Sequence, residues 1–242
     1  MPPAPRYSPQ EQEDRILASA VHCIEESSLL DFTMSAISKS AGLSMGSIYK
    51  HMQSKEDVLV ALGYRSNVRL KNVFSEVLAL PLPVAVRLIA VQLFCHEKVA
   101  LYSFSQHLDT LLANEAILQR ASERWLQRFI EEHIAIEALF RRTIFDACDA
   151  GELSVSADGQ EAMAHEMVIG LWSLCVGHTQ VIMQRSARNV IGRGVQPPSR
   201  LQSDSPIIRS VKTVLNSYPW KTPVTDELIM QAISLLEERH LR

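Results

Sequence analysis

Residues 42–56 read GLSMGSIYKHMQSKE. Whether this stretch is a phosphate-holding loop or a surface made to lie on DNA decides the fold. A nucleotide-binding loop requires Gly-Lys-Ser/Thr after its glycines, and neither Gly42 nor Gly46 is followed by it. The stretch divides instead into a turn, a short helix and a new helix start. Gly42 tolerates the positive φ of a tight turn, and Ser44 has the side chain of a helix N-cap. Ser54 opens a further helix, with Glu56 and Asp57 in a first turn where acids favour the helix dipole. Asp57 stands three residues after Ser54, the spacing of a capping box.

Upstream, an apolar stripe of Leu17, Ala20 or Val21, and Ile24 predicts a helix from about Pro9 to Ser27 or Ser28. Thr33 then caps MSAISKSAG, a short helix that Gly42 ends. Two short helices joined around a glycine make a helix-turn-helix, whose second helix enters the major groove while the first braces across it. Ile37, Ala41, Leu43 and Ile48 form the expected miniature core. The charge pattern agrees: the chain carries a net −3, yet Lys39, Lys50, Lys55, Arg65, Arg69 and Lys71 face only Glu56 and Asp57 between Thr33 and Lys71. A basic segment on an acidic protein points to a bound polyanion, although charge alone also describes a solvated helix face.

The run Thr33-x3-Ile37-x3-Ala41-Gly42-Leu43-Ser44-x-Gly46-Ser47-Ile48-Tyr49-x-His51-x3-Lys55-Glu56 resembles the DNA-binding segment of the TetR family of bacterial transcriptional regulators. The resemblance covers about the first 65 residues. It implies an all-α homodimer, with an N-terminal three-helix helix-turn-helix DNA-binding domain followed by a helical-bundle effector-binding and dimerisation domain. It further implies that Thr33 and Ser44 are caps at the DNA backbone and that Tyr49, His51 and Lys55 contact phosphates. Ser35, Met45, Ser47 and Lys50 then face the groove, and Gly46 permits close approach. Lys50 suits a guanine edge or a phosphate, and Met45 suits a thymine methyl group. Met52 stands where the family usually has Phe.

Beyond the reader, the helix opened by Ser54 should run to the break at Pro81 and Pro83. Gly63 inside it costs about 1 kcal/mol relative to Ala, which a flex point or a close packing contact would explain. Val84, Leu88, Val91, Cys95, Val99 and Tyr102 recur at helical spacing, as do Phe129, His133, Ile136, Phe140, Ile144 and Ala147 before Gly151. Met167 to Gln184 is free of charge. Its stripes Ala164-Val168-Leu171-Cys175-His178-Ile182 and Met163-Met167-Gly170-Leu174-Gly177-Val181 predict a helix buried on two sides rather than a bilayer span. Two shorter helices, about 206–217 and 223–241, close the chain. The expected organisation is a flexible tail (1–8), a DNA-binding domain (9–62) and an effector-binding and dimerisation domain (63–242) with a mobile loop at about 186–206.

An effector pocket, implied by the resemblance, is expected to use Tyr102, Phe129, His133, Trp172, Cys175 and His178, polar groups among apolar ones that suit a small apolar or amphipathic molecule. Each of these residues is also explained as ordinary core. Gly170 and Gly177 share a face, and with Leu228, Ala232 and Leu235 they suggest a dimer interface. Neither His96-Glu97 nor His165-Glu166 has the second histidine of a zinc-protease motif, and Cys175-x2-His178 lacks further metal ligands. No metal, cofactor or catalytic residue is expected. Cys23, Cys95, Cys148 and Cys175 are too scattered for a disulfide framework, and the proline-rich start MPPAPRYSPQEQED has no signal-peptide core.

The reading is a cytoplasmic, ligand-responsive DNA-binding repressor that acts as a homodimer on palindromic operator DNA, without membrane association. The rivals are the same reader with a protein-binding C-terminal domain, and a helical-bundle enzyme, for which a Glu-x-x-His pair inside the bundle is missing.

Overall fold

The computed structural model describes residues 7–192 and 200–242. Among these the fold is all-α, with twelve α-helices: α1 (Pro9–Glu26), α2 (Met34–Ala41), α3 (Met45–His51), α4 (Lys55–Leu78), α5 (Val84–Ala90), α6 (His96–Val99), α7 (Ser105–Leu112), α8 (Glu115–Leu118), α9 (Glu123–Asp149), α10 (Gln160–Ala187), α11 (Pro206–Asn216) and α12 (Asp226–Glu238). An isolated bridge between Leu153 and Trp220 takes the place of any strand among the described residues. Most of the expected tail, residues 1–6, lies outside the described residues, as do residues 193–199 of the expected loop.

Local chemistry explains the first helix boundaries. Ser8 and Glu11 form a reciprocal capping box, Glu11 N–H donating to Ser8 Oγ at 3.2 Å and Ser8 N–H to Glu11 Oε2 at 2.7 Å, with Pro9 in the first turn. These bonds hold the Glu11 carboxyl below its ordinary value. α9 stops where Gly151 takes φ 69° and donates to Cys148 O.

The chain forms two compact units. The first comprises residues up to Arg69 together with Ala100–His133, and the second comprises Leu70–Val99 and Ile134–Arg242. The first is therefore larger than the reader segment 9–62: α7, α8 and the start of α9 return to it. Its core gathers Ile16, Leu17, Ile37, Ile48, Met52 and Leu62 with Leu108, Leu112, Trp125 and Phe129. The second unit is built around Val77, Ile89, Ile144, Met167, Ile208 and Ile229.

Three expectations are corrected. The helix predicted from Val84 through Tyr102 ends at Ala90, and only His96–Val99 resumes it. The backbone between first tightens into i→i+3 turns, Gln92 N–H to Ile89 O and Leu93 N–H to Ala90 O, and then bonds elsewhere: Leu93 O accepts from Arg242 Nη1, and Cys95 N–H donates to Leu241 O at 2.8 Å. Leu93, Phe94 and Cys95 are buried all the same, so the apolar spacing is real while the helix is not. Secondly, the loop expected from Ser186 starts later, because α10 and a 3-10 turn at Arg188–Ile191 carry helical structure to Gly192.

Thirdly, α10 is not covered on two sides within this chain. Ala164, Met167 and Val168 face the core, but Ile169, Trp172, Val176 and Val181 are exposed. A Cβ added at Gly170 or Gly177 would meet nothing within 4 Å. By length and composition the stretch Ala157–Ile191 is apolar enough to cross a bilayer, a property shared with a helix that another chain covers.

Candidate nucleic-acid interface

The helix-turn-helix is assembled by side-chain caps. Thr33 Oγ1 accepts from Ala36 N–H at 3.1 Å to start α2. Gly42 ends α2 in the left-handed conformation, φ 64° and ψ 33°, where a Cβ would be strained. Arg15 of α1 donates through Nη2 to Ala41 O at 3.0 Å, placing a cation at the negative end of α2. Ser38 Oγ donates to Leu43 O at 2.6 Å, and Leu43 N–H donates back to Ser38 O. Ser44 Oγ then accepts from Ser47 N–H at 3.1 Å to start α3. Ile37, Ala41 and Ile48 are buried beneath, with Leu43 half-buried.

The predicted contact residues divide by environment. Ser35, Met45, Gly46, Tyr49 and Lys50 are exposed, Tyr49 by 48%, so Tyr49 is not a core aromatic. A Cβ at Gly46 would come no nearer to another residue than 3.9 Å, from Ser44 Oγ. Among the described residues nothing crowds a side chain at this position. Ser47 is half-buried, its hydroxyl 3.0 Å from Ser44 Oγ. Thr33 and Ser44 are exposed caps, as expected.

Lys55 has a second employment. Its ammonium donates to Leu30 O at 2.8 Å and lies 4.5 Å from the Phe32 ring centroid, tying the turn before α2 to the start of α4. An ammonium has three donors, so this leaves it capacity for a phosphate. His51 is half-buried, and burial lowers its pKa, so its ring is neutral near pH 7. Met52 is fully buried and fills the aromatic position of the resemblance as a core residue.

Other residues of the first unit brace this surface from behind, and of these only Asp57 stands in a local motif. Asp57, fully buried, accepts Gln53 N–H through Oδ2 at 2.7 Å and Ser122 N–H through Oδ1 at 2.6 Å. Its own N–H donates to Ser54 Oγ at 3.1 Å, so half of the capping box expected at Ser54 is formed, while the carboxylate serves Gln53 and the approach to α9 in place of Ser54 N–H. Trp125 Nε1–H donates to His51 O at 2.9 Å. Glu13, only 4% exposed, accepts from Arg124 Nη2 at 2.7 Å and Arg128 Nη1 at 3.2 Å.

The residues expected to share an effector pocket fall into different units. Tyr102, Phe129 and His133 belong to the first and Trp172, Cys175 and His178 to the second. Tyr102 stacks on Phe104 with ring centroids 5.2 Å apart, and burial pushes its hydroxyl up to about 12. Phe129 is core, and exposed His133 lies 4.5 Å from its ring. Trp172 is 47% exposed, while Cys175 and His178 are half-buried. None of the six lines the hollow of about 490 Å³ between α1 and α7, bounded by Ile24, Leu29, Leu30, Phe104 and Leu111. Of the proposed interface residues, Ala232 is fully buried in its own unit and Leu228 and Leu235 pack against that core, because the apolar stripe of α12 faces inward. Among the described residues no group of three or more His, Cys, Asp or Glu is placed to hold a metal ion.

Comparison with known proteins gives the interface its context. The family model of bacterial regulatory proteins, tetR family, matches residues 16–62. No curated protein matches the chain. Among solved structures, Salmonella enterica GusR is similar at 19% identity, over 88% of this chain and 98% of that one, with a TM-score of 0.57. The superantigen PfiT is similar at 14% identity, over 89% and 100%, with a TM-score of 0.55. SmeT, repressor of the Stenotrophomonas maltophilia multidrug efflux pump SmeDEF, is similar at 19% identity, over 91% and 96%, with a TM-score of 0.51. At these identities the structural likeness establishes the fold, and the match over α1 to α4 identifies the reader. Residues 16–62, which hold α2, α3 and the parts of α1 and α4 that pack on them, are thus the segment that matches the tetR family of bacterial regulatory proteins.

Proposed function

We propose that the protein is a cytoplasmic homodimeric repressor that holds a palindromic operator and releases it when a small apolar or amphipathic effector binds. The observation that carries this reading is the exposure of Met45, Gly46, Tyr49 and Lys50 on α3, together with the exposed caps Thr33 and Ser44 at the starts of α2 and α3. In this reading Tyr49, His51, Lys55 and the two caps meet phosphates, and these fix the register of the helix on the duplex. Ser35, Met45 and Lys50 read base edges. Ser47 contributes through its hydroxyl pair with Ser44 more than as a free donor.

The exposed apolar face of α10 supports the homodimer. Ile169, Trp172 and Val176 lie on one side, flanked by the open surfaces of Gly170 and Gly177. An apolar face of this kind on a regulator with a helix-turn-helix reader suits a second copy of the chain, and two copies present two recognition helices to successive major grooves. Effector release requires the effector to prefer the non-binding conformation by several kcal/mol.

The decisive test is protection of DNA upstream of the protein's own gene, followed by binding of the protected duplex at several salt concentrations. Tyr49→Ala and Lys55→Ala should each weaken binding if they meet phosphates, and loss of the Lys55 charge should also lower the salt slope by about one. Unchanged affinity and slope in both would refute the contact assignment.

A further inference from the structure

We infer that Trp125 is a positioning residue for the recognition helix, so that α9 sets the angle at which α3 meets DNA. This rests on the reading of α3 as the DNA reader and adds the element that aims it. α3 is a helix of seven residues, too short to hold its own orientation. Its last carbonyls lack partners within the helix, and that of His51 receives one from outside, the indole N–H of Trp125 at 2.9 Å. His51 therefore carries a proposed phosphate contact on its ring and an internal anchor on its carbonyl.

The anchor is itself fixed. Trp125 is 1% exposed, and the guanidinium of Arg128 lies 4.5 Å from its ring centroid, with that of Arg124 at 5.3 Å. Both arginines donate to the buried Glu13 of α1. One turn earlier, Ser122 N–H donates to Asp57, whose second oxygen holds Gln53 immediately after α3. The start of α9 thus holds the exit of the recognition helix at two points, His51 directly and Gln53 through Asp57, while bound to α1 by ion pairs. α9 then continues unbroken to Asp149, through residues that belong to the second unit.

Loss of the indole donor leaves a part-buried carbonyl without its partner at the end of α3, and the helix end is then free to shift toward water. Base-edge contacts depend on helix orientation more steeply than contacts to the flexible phosphate backbone. A positioning role therefore predicts a specific loss of sequence discrimination, whereas general destabilisation lowers Tm and leaves the discrimination of the folded protein alone.

The experiment uses the full chain, the protected operator duplex and a scrambled duplex of the same composition. Trp125→Phe is compared with replacement of Trp125 by benzothienylalanine, which keeps both rings and lacks only the N–H. Lys50→Ala and Tyr49→Ala serve as reader controls. The operator-to-scrambled affinity ratio should fall about tenfold in the isostere variant with the salt slope unchanged, the size expected for one buried hydrogen bond. A wild-type ratio in the isostere variant, with weakened binding in the controls, overturns the positioning role and leaves the reader intact. Wild-type binding in the controls overturns the reader and the positioning role together.

Discussion

Ser122 and Asp57, 65 positions apart in sequence, are joined by a hydrogen bond of 2.6 Å from the backbone of one to the carboxylate of the other. Because Asp57 also accepts Gln53 N–H at 2.7 Å, one buried side chain satisfies two backbone donors with its two oxygens. Asp57→Asn preserves one acceptor and turns an N–H donor toward the other amide. The substitution should cost about 2–3 kcal/mol, the penalty of a buried donor left facing a donor. Urea unfolding measures this, and a midpoint within error of wild type would contradict the bridging role.

Gly63 is a packing site. A Cβ there would stand 2.2 Å from Leu112 Cδ1 and 3.0 Å from Phe129 Cε2, both on buried side chains of the same unit. Gly63→Ala gains about 1 kcal/mol of helix propensity and must offset about 1–3 kcal/mol of overpacking. A lowered Tm is expected. A raised Tm would mean that Leu112 yields without cost and that glycine is kept there for flexibility.

What the sequence disclosed and what it hid follow one physical line. Thr33, Gly42 and Ser44 act on residues three or four positions away, and cap and turn chemistry is local enough to read directly. The dependence of the reader on α7 and α9 is not local: Trp125 lies 74 positions from His51 and Arg124 lies 111 from Glu13. One signal was present. Glu13 shares the inward face of α1 with Ile16, Leu17 and Ala20, and an acid on an apolar stripe calls for a cation from elsewhere. The break after Ala90 was hidden for the same reason, since its backbone partners are Leu241 and Arg242.

Glu13→Ala removes the shared acceptor of Arg124 and Arg128. Both arginines are partly open to solvent, with side-chain exposures of 54% and 33%, so they rehydrate and the loss is limited to about 1–2 kcal/mol. Glu13→Gln should fall between wild type and Ala. Unfolding at low and high salt tests the ion-pair content, because the Gln variant should narrow its gap to wild type as salt rises.

His51 gives a pH dependence of known sign. Burial lowers its pKa in the folded protein, so the unfolded chain takes up the proton first as pH falls through its ordinary value of about 6.5. The contribution of His51 is therefore neutral above that value and destabilising below it. His51→Gln should lose less stability than wild type between pH 7.5 and 5.5, compared by urea midpoint. An equal loss in both proteins would show that the ring is freely hydrated.

The outer face of α10 carries the quaternary prediction. Trp172 and Val176, 47% and 54% exposed, lie four residues apart on one side of the helix, and Trp is the residue type most often found at the centre of binding energy in an interface. Trp172→Glu places a charge on that face without touching the core of its own unit. If a second copy covers the face, the variant loses an anchor and must bury an unpaired carboxylate, which together exceed about 3 kcal/mol. The dimer dissociation constant should then rise more than a hundredfold, since each 1.4 kcal/mol is about tenfold. Operator affinity should fall with it, because two half-sites are no longer held by one particle. Sedimentation velocity without detergent separates the cases. A monomer with retained helical circular dichroism supports the interface, and a dimer of wild-type stability shows that α10 meets some other surface.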